Sequence, residues 1–284
     1  LDVGQGKLFA IDVKTGKVTA LTGDGHVTAF DVGPSGLVYA SDSLKSPSEL
    51  FMLAPKGPPI RVASVSSEAL KDVAWGEPEQ FDFKGWNDET VHGFVLKPAN
   101  FDPAKKYPVA FLIHGGPQGS FSNSWSYRWN PQVYANAGYA VVMVDFHGST
   151  GYGQVFTDAI SQHWGDRPLE DLQKGWAFAT SKYSFLDADR ACALGASYGG
   201  YMVNWIAGNW NAPWKCLVDH DGVFDTRAMG FATEELWFTE WENGGTPSQP
   251  GTTYETFNPV LHVDKWTKPQ LIVQGQLDYR IPVE

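Results

Sequence analysis

Cys192-Ala193-Leu194-Gly195-Ala196-Ser197-Tyr198-Gly199-Gly200-Tyr201-Met202 is an apolar run that breaks into small residues around a single serine. It has the form of a nucleophile elbow, G-x-S-x-G, in which the serine occupies a strained turn between a strand and a helix. Gly195 and Gly199 leave room for the tight backbone, so Ser197 Oγ is expected to project above the end of a sheet. The flanks agree. Residues 191–194 suit a buried strand, and residues 198–208 suit a helix with Met202, Trp205 and Ile206 on one face. A glycine-rich turn with an incidental serine would produce the same five residues, so the rest of the chain has to decide.

The chain has 284 residues, enough for a sizeable core and, on the usual length prior, about two domains. Cys192 and Cys216 are its only cysteines, too few for a disulfide framework, and both fall in apolar runs; buried thiols rather than a bridge are the expectation. With 21 basic and 32 acidic residues the net charge is -11, which repels a phosphate backbone and argues against nucleic-acid binding. The longest apolar runs, such as residues 139–144, are far too short to span a bilayer. No Asn-x-Ser/Thr sequon and no secretory n-region or h-region occurs, and since Leu1 opens inside a strand pattern, any signal sequence is expected upstream.

The first sixty residues carry a repeat. Leu8-Phe9-Ala10-Ile11 recurs as Leu50-Phe51-Met52-Leu53, and Val18-Thr19-Ala20-Leu21 as Ile60-Arg61-Val62-Ala63, both at an offset of 42. Two more strand-like runs, 26–31 and 37–41, lie between the copies, giving four short strands per period as in a β-propeller blade. About one and a half blades cannot close a ring, so the chain is expected to be truncated at its amino end. A polar stretch then leads to Phe81-Asp82-Phe83 and Val91-His92-Gly93-Phe94-Val95-Leu96, which places a boundary near residue 70: residues 1–70 the propeller remnant, residues 71–284 a second domain. There, strands (108–113, 139–144, 191–194, 216–218, 270–273) alternate with helices (131–137, 168–182, 198–208), the pattern of an α/β fold with a parallel sheet covered on both faces.

An elbow serine needs donors for the oxyanion that its attack creates and a base for its proton. His114-Gly115-Gly116-Pro117-Gln118-Gly119 follows the first long strand and has the form of the loop whose exposed backbone N–H supplies half of an oxyanion hole; the other half is the N–H after the nucleophile, on Tyr198. His114 itself is read as packed or loop-orienting. The acid should follow a later strand, where Asp278 stands in Gly275-Gln276-Leu277-Asp278-Tyr279-Arg280, with Asp221 of His220-Asp221-Gly222-Val223-Phe224 as runner-up. A histidine should come after the acid, but none of residues 279–284 is one, and His262 is placed on a short surface helix. A further helix and strand, at least about 15 to 20 residues, are needed to finish the sheet, so truncation is expected at the carboxyl end too. The 284 residues alone are then expected to be almost inert and to expose an apolar edge at 270–273.

Together, these residues resemble the prolyl oligopeptidase family of serine peptidases, in which a propeller precedes an α/β-hydrolase domain. The resemblance covers nearly the whole chain and includes Gly148-Ser149-Thr150-Gly151-Tyr152-Gly153 besides the loop, the elbow and the acid. It is strongest toward the branch that holds acylaminoacyl-peptidases and secreted fungal dipeptidyl-peptidases, through His220-Asp221-Gly222-Val223-Phe224 and Glu234-Glu235-Leu236-Trp237-Phe238. It implies Ser197 as nucleophile, Asp278 as triad acid, the N–H groups of Gly116 and Tyr198 as oxyanion hole, and Val223 and Phe224 as walls of the pocket for the residue before the scissile bond. It also implies short peptides as substrates, secretion, and neither a metal nor an organic cofactor. Glu234 and Glu235 are candidates for a peptide's terminal ammonium, although adjacent helical residues point about 100° apart, so only one should reach the site. His147 stands where relatives often have arginine.

An esterase or lipase would use the same elbow, loop and acid, and the propeller remnant argues for a peptidase instead. A non-catalytic binding protein with a relic hydrolase domain is the reading from a different class. Intact Ser197 and Asp278 argue against it.

Overall fold

The computed structural model describes residues 1–283. In chain order the strands are β1 (Phe9–Ile11), β2 (Val18–Ala20), β3 (His26–Gly33), β4 (Gly36–Ser43), β5 (Ser46–Leu53), β6 (Ile60–Ala63), β7 (Pro78–Lys84), β8 (Thr90–Leu96), β9 (Tyr107–Ile113), β10 (Ala140–Asp145), β11 (Leu186–Ala196), β12 (Cys216–His220) and β13 (Gln270–Val273). The helices are α1 (Ser67–Leu70), α2 (Pro131–Asn136), α3 (Gln154–Asp158), α4 (Arg167–Lys182), α5 (Tyr198–Asn209), α6 (Thr226–Ala232) and α7 (Leu236–Asn243), with a 3-10 turn at Pro259–Lys265.

Among the described residues β7 to β13 form one sheet in the order β13-β12-β11-β9-β10-β8-β7. β7 and β8 are antiparallel, and the strands from β10 to β13 are parallel. A strand covered on both faces needs apolar residues at every position, and β9 and β10 meet that demand. Val109, Phe111, Ile113, Val142 and Val144 enter one core with Trp176 and Trp214, whereas Ala110, Leu112, Val141 and Met143 enter a second core on the opposite face. The period of two along each strand sorts the side chains between the layers. Fully burying one such valine or leucine stabilises the fold by about 1.5–3 kcal/mol.

The helices begin where their sequences direct. Asp166 accepts from Arg167 N at 2.7 Å ahead of α4, with Pro168 in the first turn, and Asn130 accepts from Gln132 N ahead of α2. The elbow helix α5 departs from the expected one-faced pattern: every residue from Tyr198 to Ala207 is buried, because the helix is enclosed by β11, β12 and the Pro259–Lys265 turn.

Residues 1–63 make separate sheets. β3-β4-β5-β6 is a four-stranded antiparallel meander and β1-β2 a hairpin, the copies of the 42-residue repeat falling on β1 and β5 and on β2 and β6. The β4–β5 turn puts Leu44 into the second core, 2 % exposed, with its N–H on Asn123 Oδ1 and its carbonyl taken by Gln132 Nε2.

The expectation of free thiols is corrected. Cys192 and Cys216 are register partners on the parallel strands β11 and β12, with Cα atoms 4.7 Å apart, and they form a disulfide. That separation lies within the range a bridge requires, and the register of two neighbouring strands is what an apolar run alone does not disclose.

His147 and Asp171 are both fully buried. Asp171 accepts from Trp86 N (2.6 Å), His147 N (2.7 Å) and His147 Nδ1 (2.6 Å), and Glu89 faces His147 Nε2 at 3.3 Å. Burial alone would depress this imidazole, but the two carboxylates outweigh it and hold it above its ordinary 6.5. A carboxylate oxygen only accepts, so with one at each ring nitrogen the site suits a charged ring that donates from both.

Removing Asp171 takes away the buried partner and leaves only the part-exposed Glu89 on the imidazole, so Asp171→Ala should lower the unfolding free energy by up to about 3–5 kcal/mol, read from urea midpoints. The stabilisation from a raised histidine is complete below 6.5 and is lost as the pH rises through the folded-state value, so the deficit should shrink above that value, which NMR titration of His147 locates. A deficit independent of pH would contradict the charged pair.

β13 is the edge of the sheet among the described residues, and Leu271, Ile272 and Val273 are 59 %, 58 % and 45 % exposed. An apolar strand edge pairs with other edges. The 284-residue chain should self-associate in sedimentation, and Ile272→Lys should shift it toward monomer.

Candidate active site

Ser197 sits between β11 and α5 with φ 58° and ψ −124°, a conformation that costs a non-glycine residue about 1–3 kcal/mol. Glycines make the turn possible. A Cβ on Gly195 would overlap the Gly199 carbonyl, and one on Gly199 would overlap the Ile113 carbonyl on β9. Ser197 N donates to His220 O at 3.1 Å and Tyr201 N to Ser197 O at 2.9 Å, which ties the turn to β12 and starts the helix.

The loop after β9 lies beside it. Burial pushes the His114 imidazole below its ordinary value, which favours the neutral ring. The Gly115 carbonyl, 2.8 Å from Nδ1, can only accept, so Nδ1 carries the hydrogen and Nε2 accepts from Ser149 Oγ at 2.8 Å. Carbonyl and N–H of one trans peptide point in opposite directions. Holding the Gly115 carbonyl therefore turns the Gly116 N–H away from the imidazole, and Gly116 itself takes φ 125°. Among the described residues neither the Gly116 nor the Tyr198 N–H has an acceptor. Further along the loop, buried Asp145 accepts from Ser120 Oγ, Phe121 N and Tyr152 Oη at 2.7, 2.8 and 2.6 Å. Gln118 donates to Glu242, which also takes Trp164 Nε1, so α7 braces the same loop.

A cleft of about 910 Å³ brings together His114, Gly115, Ser197, His220, Asp221, Glu234 and Asp278. Hydrogen bonds separate the two candidate acids. Asp278 Oδ1 accepts from Arg280 N (2.9 Å) and Ile281 N (3.0 Å), and its second oxygen has no partner among the described residues. Asp221 Oδ1 accepts from Gly275 N at 2.6 Å, its Oδ2 lies 3.0 Å from His220 Nε2 without hydrogen-bond geometry, and the residue holds φ 46°. It braces the start of the loop that carries Asp278. No imidazole hydrogen-bonds Ser197 Oγ or Asp278 among the described residues. His262 lies outside this cleft on the 3-10 turn, its ring against Trp205.

Glu234 and Glu235 precede α7 instead of lying in it, Glu235 being its N-cap, so the helical spacing expected for them does not apply. Glu234 lines the cleft and Glu235 does not; Arg280 Nη2 contacts both, at 3.4 and 3.0 Å. Val223 and Phe224 line a smaller adjoining cavity of about 310 Å³, which shares Ile281 with the cleft. Asp219 lies on that cavity too. Burial pushes its carboxyl up to about 6 although Asn204 donates to it. Composition and spacing gave no sign of Asp219, nor of the cleft wall made by Ser124, Ser126, Arg128 and Trp129. The aromatic density of Trp125-Ser126-Tyr127-Arg128-Trp129, directly after the oxyanion loop, was the available signal.

Comparison with known proteins bears on the same residues. The Prolyl oligopeptidase family profile matches residues 125–284. Dipeptidyl-peptidase 5 of Schizosaccharomyces pombe is 40 % identical over 98 % of this chain and 41 % of its own length. Probable dipeptidyl-peptidase 5 of Emericella nidulans is 42 % identical over 99 % of this chain and 41 % of its own. The chain thus spans about two fifths of the length of these relatives. Among solved structures, Pyrococcus horikoshii acylaminoacyl peptidase superposes with a TM-score of 0.88 at 25 % identity, covering 99 % of this chain and 44 % of that one. Sequence profile, relatives and superposition converge on one lineage, and this chain belongs to the prolyl oligopeptidase family.

Proposed function

We propose that the chain carries the nucleophile, acid and oxyanion hole of a serine exopeptidase that removes dipeptides from the free amino terminus of short peptides. The observation that carries this reading is Ser197 on its strained turn, with two unclaimed backbone N–H groups at hand and Asp278 in the same cleft. Ser197 Oγ gives its proton to the imidazole that Asp278 orients and attacks the scissile carbonyl; the N–H groups of Gly116 and Tyr198 receive the oxyanion, and its collapse breaks the C–N bond, the amine leaving with that proton and the acyl group staying on Ser197 until water hydrolyses it. The free oxygen of Asp278 holds an imidazole in the correct tautomer and stabilises its cation. The reading assigns the proton acceptor to none of the seven histidines. His114 has both nitrogens engaged, and His220 Nε2 lies against Asp221 with no hydrogen bond to Ser197 Oγ among the described residues.

Residues 1–70 are the last blade and a half of a propeller in this reading, and residues 71–284 are the hydrolase domain. The meander β3-β4-β5-β6 has the strand count and order of one blade, and the β1-β2 hairpin matches its outer pair. Secretion is supported by the Cys192–Cys216 bridge, since disulfides persist in oxidising compartments. Val223 and Phe224 wall the pocket for the side chain before the cleaved bond.

One observation favours acylaminoacyl-peptidase activity instead: Glu234 and Glu235 both lie against Arg280, and a blocked amino terminus needs no carboxylate.

Two experiments on the full-length enzyme test these assignments. A fluorophosphonate probe should label Ser197. Ser197→Ala should abolish labelling and lower kcat by about 10⁶. Asp278→Asn should cost about 10⁴ in kcat, and the same loss in Asp221→Asn with none in Asp278→Asn would reverse the acid. Second, Ala-Ala-p-nitroanilide should be cleaved at least about tenfold faster than N-acetyl-Ala-p-nitroanilide, a discrimination of about 1.4 kcal/mol. The opposite ranking establishes the acyl-peptide reading.

A further inference from the structure

The charged groups around the cleft are unequally partnered. Asp221 accepts from Gly275 and lies against His220, and Arg280 faces Glu234 and Glu235. Arg128 also lines the cleft, and among the described residues its guanidinium meets no carboxylate and no carbonyl; its neighbour is the ring of Trp129, 4.9 Å away. Arg61 and Arg167 also lack a carboxylate, but each guanidinium donates to a neighbouring oxygen, Ser64 Oγ and Ala159 O.

The segment is held in place from both ends. Ser126 Oγ accepts from the N–H groups of Arg128 and Trp129 at 3.2 and 2.8 Å, and Asn130 caps α2. Upstream, Trp125 N donates to Asp42, and Asn123 binds Leu44 N, Gly4 O and Gln5 Oε1. The Trp129 ring lies 4.9 Å from that of His220, which fixes the platform under the guanidinium. Arg128 is exposed, and a flat cation resting on an indole is suited to bidentate contact with a carboxylate. Strand order adds a polarity. Arg128 follows β9, the acidic residues Asp221 and Asp278 follow β12 and β13, and Ser197 ends β11 between them.

We propose that Arg128, on its Trp129 platform, is a carboxylate-anchoring subsite, so that the cleft takes short peptides whose negative end lies within reach of Ser197. The inference rests on the peptidase reading and deepens it, naming small peptides with a carboxylate, from the carboxyl terminus or an acidic side chain, as the preferred ligands.

The test measures binding by calorimetry with the Ser197→Ala protein, so that no peptide is cleaved. The probes are Ala-Ala-Ala, its carboxamide, and Ala-Ala-Asp carboxamide. Ala-Ala-Ala should bind about ten- to a hundredfold tighter than its amide, as a charge-assisted pair implies. If Ala-Ala-Asp carboxamide recovers the affinity, the side chain serves as well; if it does not, the subsite reads the terminal carboxylate. Either result requires that Arg128→Gln remove the acid-over-amide preference while leaving amide binding in place, and that Arg128→Lys keep part of it. Equal binding of acid and amide, or a preference that survives Arg128→Gln, overturns the subsite alone. Failure of every peptide to bind overturns the peptidase reading and the subsite with it.

Discussion

The structure depends on the contact between two backbones at the elbow. β11 can turn into α5 within one residue only because Gly195 and Gly199 let the chain touch itself, and because Gly199 also lies against the Ile113 carbonyl of β9. One packing requirement thus fixes three things together: the direction of Ser197, the start of a fully buried helix, and the distance between Ser197 and the loop that begins at His114. The strain at Ser197 persists because its surroundings over-determine it. The disulfide one strand-length below, the His220 carbonyl on its N–H and the enclosed helix above leave the turn no alternative.

Around that turn the electrostatics follow a division of labour set by burial. Groups sealed from water are used to orient: His114 as a neutral ring that fixes one peptide, Asp145 as an acceptor for three donors, His147 and Asp171 as a balanced pair behind the sheet. Groups facing the cleft keep unspent capacity, as the second oxygen of Asp278 and the guanidinium of Arg128 do. Asp221 shows why position after a strand is a weak criterion for a catalytic acid. It leaves β12 much as Asp278 leaves β13, yet one of its oxygens is taken by Gly275 N and the other lies against its own neighbour His220.

The strands and the elbow were legible because the apolar runs of β9, β10 and β13 and the glycine spacing are local signals, and the structure starts β13 at the same residue as the sequence does. The repeat of 42 residues was legible for the same reason. What escaped was relational. The Cys192–Cys216 bridge depends on strand register, and the all-round burial of α5 on which elements enclose it. The pairing of Arg280 with Glu234 and Glu235 crosses 46 residues to Glu234. The wall of Arg128 and Trp129 depends on a loop whose course is set by Gln5, Asp42 and Leu44, far away in the chain.

That last dependence bears on modularity. The rim of the cleft is not wholly a product of the hydrolase sheet, since its backbone is fastened to a hairpin tip and to residues near the start of the chain, with Leu44 seated in the core beneath. An isolated hydrolase sheet would keep its nucleophile and lose the template for one wall. Recombination between related proteins should then succeed only when the β4–β5 turn and the segment after the oxyanion loop are inherited as a pair. These two stretches, some 80 residues apart, form one unit of inheritance that a domain boundary drawn near residue 70 would cut in two.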